Sequence, residues 1–131
     1  MDLIKLATAF RALQMYSHHA HNMTRGESFH SDHVYFGDLY SFAESSYDSL
    51  IERYIGLGGS PSLAIIMRDT LKILSILPEN NYYQNVLSLI HEVVKECEEV
   101  ASKSSIGTNN LIAGIADSLE VHIYKIKRRL A

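Results

Sequence analysis

The chain has 131 residues, of which 47% are hydrophobic, and it carries a formal net charge of −3 with a pI near 6.1. This length suits one domain with a buried core, spanning 1–131, and the mild acidity excludes a general electrostatic attraction to nucleic acid or membrane surfaces. No stretch approaches the ~20 apolar residues of a membrane span, and no signal peptide is visible. The single cysteine, Cys97, excludes an intrachain disulfide. We therefore expect a cytoplasmic protein with no membrane partner.

Apolar residues recur at helical spacing through most of the chain, and breaks in that spacing divide it into four long segments. The predicted long helices cover 2–23, 28–57, 81–102 and 109–130. Gly26 is predicted to end the first helix, Gly58 and Gly59 to stop the second, and Thr108 or Asn109 to cap the last.

The connection between the second and third long helices is itself long enough to hold structure. Ile65 to Ile76 is predicted to form the regular part of a short amphipathic helix, with Ser60 and Pro61 as its entry, Pro61 in the first turn, and Pro78 after its end. Because this segment can span the bundle, the two helices that it joins need not be antiparallel neighbours. The pattern predicts an all-α fold, a four-helix bundle with a short extra helix in this connection.

Four potential metal ligands lie in the first half of the chain. His33 follows His21 by twelve residues, Asp48 follows fifteen later, and Glu52 four after that. Asp48 and Glu52 share one face of the second helix. His33 and Asp48 are separated on that helix by roughly 22 Å, at about 1.5 Å per residue. Ligands of one metal lie within about 2–2.5 Å of it, so one chain cannot place both residues on the same ion.

A two-fold axis removes this difficulty. If two copies of the second helix pack antiparallel, His33 of one copy lies opposite Asp48 and Glu52 of the other, and two equivalent sites form. His21 would fold back beside His33 across the intervening turn. We therefore predict an obligate dimer. His18, three residues before His21, shares its side of the first helix and is a possible further ligand.

The spacing of these residues resembles that of the Dps family, the ferritin-like mini-ferritins. The matching positions in this chain are His21, Arg25-Gly26, Phe29, His33, Tyr40, Asp48, Glu52-Arg53 and Gly58-Gly59. A second likeness lies near the C-terminus. There, 107–112 (GTNNLI) is similar to the opening of the family's last helix, and 120–124 (EVHIY) to its closing segment.

The resemblance implies a ferritin-like bundle and a ferroxidase site shared between subunits. His21 and His33 of one subunit, with Asp48 and Glu52 of its dimer partner, would be both the metal ligands and the catalytic residues. The bound metal would be iron, as Fe²⁺ and Fe³⁺, and another divalent ion such as zinc stays open. The resemblance also implies oxidation by hydrogen peroxide or oxygen, a dodecameric shell that stores the oxidised iron, and protection against oxidative damage.

Three positions depart from the family pattern, so the sequence leaves two functions open, a ferroxidase and a protein without enzymatic activity. Gly37 stands where the family usually has an acid, Asn22 where it has Trp, and Asn110 where an acid opens the last helix. These departures favour a catalytically degenerate assembly, a structural module that binds DNA or protein.

DNA binding is only weakly supported by the sequence. Family relatives often bind DNA through a long tail rich in Lys and Arg, and this chain shows none at either end. The cations that close the last helix are Lys125, Lys127, Arg128 and Arg129. Their favourable interaction with the negative end of the helix dipole explains them without a nucleic acid. A small phosphate-binding patch stays open as the alternative, if twelve copies are displayed together.

Overall fold

The computed structural model describes residues 2–131, which form five α-helices and, within that range, no strand. The helices are α1 (Asp2–Met23), α2 (Phe29–Gly56), α3 (Leu63–Leu74), α4 (Tyr82–Ser102) and α5 (Ile106–Leu130). The predicted all-α fold is confirmed, with four long helices and a short one in the connection between α2 and α4. Within the same range, no helix is both long enough and apolar enough to cross a membrane.

The four long helices form a bundle in which α1 packs against α2, α3 and α4, while α5 packs against α4 and part of α2. Lys5 lies 3.5 Å from Glu96, and the Asn85 amide donates to the Tyr16 hydroxyl, so α1 and α4 run antiparallel. The long connection through α3 is what allows α4 to start beside the C-terminal half of α1. Consistent with the prediction that they need not be antiparallel neighbours, α2 and α4 do not pack along their lengths, although the Tyr83 side chain at the start of α4 reaches α2.

The core is built from one buried stripe on each long helix. On α4 the buried residues are those that the 3.6-residue spacing predicts: Val86, Leu89, Ile90, Val93, Cys97 and Val100. Burying an aliphatic side chain of this kind contributes about 1.5–3 kcal/mol, so these stripes hold the bundle together. Burial also raises the pKa of the Cys97 thiol to about 12, which keeps it protonated and unreactive.

The start of α3 differs from the prediction. Ser62 is the N-cap, and its hydroxyl accepts from the Ile65 amide at 3.3 Å. Pro61 therefore lies before the cap, and its predicted position in the first turn is wrong. A serine with extended backbone satisfies an otherwise unpaired amide, which a proline ring cannot do.

The start of α5 also differs from the prediction. Ser105 caps the helix and accepts from the Thr108 amide, so the helix begins at Ile106 rather than at Asn109. Thr108 is buried, and its hydroxyl accepts from the Arg53 side chain at 3.2 Å. The prediction of Thr108 or Asn109 as the cap is wrong because Gly107 is tolerated inside the first turn of this helix.

Candidate metal centre

The two predicted histidine ligands are brought together by the turn between α1 and α2. The turn is closed by the Phe29 amide, which donates to the Gly26 carbonyl at 3.1 Å. Gly26 has a φ of 91°, in the left-handed region that residues with a Cβ rarely adopt. The chain thus reverses within a few residues, and the start of α2 lies beside the end of α1.

His21 and His33 form a stacked pair across this turn, with ring centroids 3.6 Å apart and an interplanar angle of 23°. His21 Nδ1 lies 2.6 Å from the His33 carbonyl oxygen, and His33 Nδ1 lies 2.9 Å from the His21 carbonyl oxygen. A carbonyl can only accept, so both Nδ1 atoms must carry the hydrogen. In the neutral rings the lone pair then resides on Nε2, the form in which histidine binds a metal.

The two accepting carbonyls have different origins. The His21 carbonyl belongs to the last turn of α1, where backbone acceptors have no partner inside the helix. It receives the Thr24 hydroxyl at 3.0 Å as well as the His33 ring. The His33 carbonyl lies inside α2, where it already accepts from the amide four residues on, so His21 is its second donor.

Other aromatic rings surround the pair and limit its movement. Phe29 stacks on His33 with centroids 5.1 Å apart, and Tyr40 meets His21 edge-on at 5.4 Å. His18 stacks on Tyr40 at 4.2 Å, and its ring lies 6.1 Å from that of His21. Both rings of the pair are half-buried and His18 is exposed. The pair is therefore held in place before any metal binds.

The two predicted carboxylate ligands lie elsewhere on α2. Asp48 and Glu52 are both exposed, and within residues 2–131 neither makes a hydrogen bond or an ion pair. About 22 Å of helix separates Asp48 from His33. In the described part of the chain, no group of three or more His, Cys, Asp or Glu side chains is close enough to hold a metal. One protomer thus brings together the two histidines but not the two acids.

A partly buried polar cluster, centred on the Asp32 carboxylate, was missed by the sequence analysis. Asp32, adjacent to His33 in sequence, accepts from both Nε and Nη2 of Arg129 at 3.1 Å and from the Tyr83 hydroxyl at 2.7 Å. Burial and the neighbouring Asp32 carboxylate raise the pKa of Tyr83. Arg129 does lie in the last turn of α5, as predicted, but its side chain also ties α5 to α2, which the sequence analysis did not predict. Lys127 and Arg128 are exposed.

A second missed pair joins α2 to α5. Tyr35 and His122 share a hydrogen bond of 2.9 Å between the hydroxyl and Nδ1, and Phe42 packs against the imidazole at 5.1 Å. Burial lowers the pKa of His122 and raises that of Tyr35. The sequence does hold a signal for His122, since it falls on the buried stripe between Leu119 and Ile126.

The comparisons with known proteins agree with this architecture. No family model matches the chain. DNA protection during starvation protein 2 of Bacillus anthracis is 27% identical over 121 residues, with 84% of this chain and 81% of that protein covered.

Among solved structures, the Dps of Thermosynechococcus elongatus superposes with a TM-score of 0.86 at 20% identity, covering 99% of this chain and 88% of that one. The Dps protein of Vibrio cholerae O1, described as a member of a broad superfamily of ferritin-like diiron-carboxylate proteins, superposes with a TM-score of 0.66 at 16% identity. It covers 99% of this chain and 87% of its own. At these identities the superpositions show the fold, which is ferritin-like as predicted. The resemblance to the Dps family that the spacing of the site residues indicates is confirmed by the sequence relative and the fold together.

Proposed function

We propose that this protein is an iron-binding mini-ferritin that oxidises Fe(II) at a site shared between two subunits. His21 and His33 of one protomer bind the iron together with Asp48 and Glu52 of its two-fold partner. The single observation that carries the proposal is the stacked histidine pair, whose two Nδ1 atoms are both occupied by backbone carbonyls. Two imidazoles oriented in this way, with no third ligand beside them within residues 2–131, require further donors from another subunit.

The donor set fits Fe(II) as the substrate. Neutral imidazole nitrogen and carboxylate oxygen are both suitable ligands for Fe(II), and a site with few protein ligands leaves positions open for an oxidant. The Nε2 atoms of His21 and His33 make no hydrogen bond within residues 2–131, so both lone pairs are available. Each ring is already oriented by its Nδ1 hydrogen bond, which reduces the entropy lost when metal binds.

The carboxylates fit the role of partner ligands because they are exposed and lie on the same helix as His33. An antiparallel pairing of two α2 helices about a two-fold axis places each histidine pair against the acids of the other copy, and it creates two equivalent sites. The geometry inside one protomer excludes the alternative in which Asp48 closes its own site, because the helix is rigid over the roughly 22 Å that separates it from His33.

Two carboxylates also favour the oxidised product. Moving from Fe(II) to Fe(III) adds one positive charge, and two adjacent negative charges stabilise the more highly charged ion in a site of low dielectric. With hydrogen peroxide as oxidant, two Fe(II) each lose one electron, and one peroxide with two protons becomes two water molecules. We further propose that the oxidised iron is stored inside a dodecameric shell, which is supported by the ferritin-like fold.

The site is tested by comparing Fe(II) oxidation in the native protein and in two variants. We expect Asp48→Ala to lower the initial rate to that of buffer, because it removes a ligand from both sites of the dimer. Asp117→Ala, which removes a carboxylate from α5 that is also exposed, should leave the rate unchanged. Equal rates for Asp48→Ala and the native protein would overturn the assignment.

The assembly is tested by native mass spectrometry. We expect a particle near twelve times the 14.8 kDa chain mass, and at least a dimer. A monomer at micromolar concentration would exclude the shared site, since one protomer does not bring its ligands together.

A second candidate function is a non-catalytic Dps-type assembly, and the substitutions at Gly37, Asn22 and Asn110 favour it. Its role would be the one that the name of the Bacillus anthracis relative states, the protection of DNA. The exposed side chains of Lys127 and Arg128 would then contact phosphates. Metal content separates the two: protein that neither contains a transition metal nor acquires one on soaking supports this second function.

A further inference from the structure

Glu44 lies on the same side of α2 as Gly37, although the two residues are two helical turns apart. Seven residues bring a helix back to nearly the same angular position. Both residues face α1, since a Cβ built on Gly37 would lie 3.3 Å from His21 Nδ1, and the Glu44 carboxylate accepts from the Gln14 side chain at 3.0 Å. Tyr40, between them, meets the His21 ring at 5.4 Å. Glu44 therefore points along the groove that holds the histidine pair.

The Glu44 carboxylate is held in this direction by two successive hydrogen bonds from α1. Arg11 donates to the Gln14 side-chain oxygen at 2.6 Å, which turns the Gln14 amide nitrogen toward Glu44 Oε2. Glu44 Oε1 makes no hydrogen bond within residues 2–131, and the side chain is exposed. The carboxylate is thus oriented in a single protomer, with one oxygen available to a ligand.

Glu44 cannot serve the histidine pair of its own chain. Eleven residues separate it from His33, which corresponds to about 16 Å along the helix. A metal ligand lies within about 2–2.5 Å of the ion. Glu44 can therefore reach a histidine pair only in a second copy of the chain, as is the case for Asp48.

The proposed antiparallel pairing of two α2 helices fixes which part of the second copy Glu44 meets. A step of four residues forward along one helix matches a step of four residues backward along its antiparallel neighbour. Gly37 follows His33 by four residues, and Glu44 precedes Asp48 by four. The register that sets His33 opposite Asp48 therefore also sets Gly37 opposite Glu44.

Gly37 leaves room for a side chain that approaches from the other subunit. A Cβ built on Gly37 would have only the His21 ring within 4 Å, so the surface of α2 is otherwise open at this point. The position beside His21 where the sequence analysis expects an acid is thus empty of side-chain atoms. The facing helix carries an oriented carboxylate, that of Glu44, at the matching position.

We propose that Glu44 is a further metal ligand of the shared site, which supplies from the partner subunit the carboxylate that Gly37 does not supply from the histidine-bearing subunit. This inference rests on the proposed function. Like charges four residues apart on a helix repel each other, and a bound cation removes that repulsion. All imidazoles then come from one subunit and all carboxylates from the other, and the complete donor set is His21, His33, Glu44, Asp48 and Glu52.

The first measurement is the affinity of the intact assembly for Co(II), whose visible spectrum reports its coordination. We expect Glu44→Gln to bind Co(II) more weakly by roughly 10-fold or more, because a neutral amide of similar shape replaces a charged ligand. Glu120→Gln makes the same chemical change at an exposed position of α5 and should bind as the native protein does. Equal affinity in Glu44→Gln and the native protein would overturn the proposal.

The second measurement moves the carboxylate across the interface. In the Glu44→Gln background, Gly37→Asp adds an acid beside His21, whereas Gly37→Ala adds the same Cβ without a charge. We expect the variant with Asp to bind Co(II) roughly 10-fold more tightly than the variant with Ala, because the donor set is restored from the facing helix. A purely structural role for Glu44 predicts equal affinities in the two double variants, and that result would contradict its role as a ligand.

The same assay separates this inference from the proposed function. If Asp48→Ala binds Co(II) as the native protein does, the shared site itself is wrong. If Asp48→Ala loses Co(II) while Glu44→Gln retains it, the shared site stands and only the role of Glu44 is wrong. Native mass spectrometry verifies the assembly of each variant, and dissociation of Glu44→Gln would assign Glu44 to subunit contact instead of metal binding.

Discussion

Asp32 and His33 are adjacent in sequence, yet they belong to two polar sets of opposite character. Asp32 reaches Arg129 of α5 and Tyr83 of α4, and all three groups satisfy one another within the chain. His33 reaches His21 of α1, and their mutual hydrogen bonds leave one nitrogen of each ring unused. The first set is complete in one protomer and the second is not.

The two sets differ in whether their hydrogen-bonding groups are all used within one chain, and this difference separates structural from candidate functional polar groups. A buried charge is costly unless its hydrogen bonds are made, so the complete Asp32 cluster is explained by the folding of a single chain. The histidine pair is held as firmly, but its free lone pairs contribute nothing to the stability of one protomer. The proposed metal-binding role would use that unused capacity, which the Asp32 cluster does not have.

The largest expected effect is the loss of metal binding when the histidine pair is disrupted. His33→Ala removes one proposed metal ligand and also the ring that stacks on His21. Losing a residue that only orients a ligand lowers metal affinity by up to roughly 100-fold, so we expect the affinity for Co(II) to fall by more than this. Isothermal titration measures this. His30→Ala removes an exposed histidine on the same helix and should bind as the native protein does. Comparable losses in both variants would show that the metal binds elsewhere.

Disrupting the Asp32 cluster should lower the free energy of unfolding rather than the affinity for metal. Asp32→Ala leaves the Tyr83 hydroxyl and the Arg129 guanidinium without their acceptor. Because the Arg129 side chain is 44% exposed and can regain water, we expect a loss of about 2 kcal/mol rather than the larger cost of a fully buried pair.

Denaturant unfolding at one fixed protein concentration measures this change, since assembly also contributes to stability. Asp117→Ala, at an exposed carboxylate, is the control and should stay within a few tenths of a kcal/mol. The comparison of the two sets fails if Asp32→Ala is as stable as this control.

The helices were predictable from the sequence because their apolar spacing is regular, and the approach of His21 to His33 followed from a short turn between two antiparallel helices. The Asp32 cluster was not predictable in the same way. Its partners lie 51 and 97 residues away, and only the tertiary packing of α4 and α5 brings them near. Asp32 does lie four residues before buried Phe36, which is a usable sign of an inward position.

The position of the carboxylates relative to the histidines also lies beyond what one chain can fix. Sequence spacing shows that Asp48 and His33 cannot meet within a protomer, and the structure agrees. The arrangement of a second copy depends on surfaces of both molecules, so it stays a prediction that the oxidation and mass measurements address.

A smaller stability change is expected at the pair between α2 and α5. Tyr35→Phe removes the hydroxyl that is hydrogen-bonded to His122 and leaves a buried ring nitrogen unpaired, which should cost about 1 kcal/mol. Tyr124→Phe is a matched control, because Tyr124 is 64% exposed. Thermal unfolding compares them, and equal midpoints would mean that the Tyr35 hydrogen bond adds nothing to folding.

The smallest effect should appear in the pH dependence of stability. Burial, with a further contribution from Lys125, lowers the pKa of His122 below its ordinary value of 6.5, whereas Asp38 acts in the opposite direction. The unfolded chain therefore binds a proton at this residue before the folded chain does, so stability falls as the pH drops below about 6.5.

His122→Asn keeps a polar group near the Tyr35 hydroxyl but does not titrate. The two proteins differ at residue 122 alone, so the difference between their unfolding curves isolates His122. We expect the native protein to lose more stability than His122→Asn between pH of about 7 and 5, and parallel curves would show that this imidazole is not the source of the pH dependence.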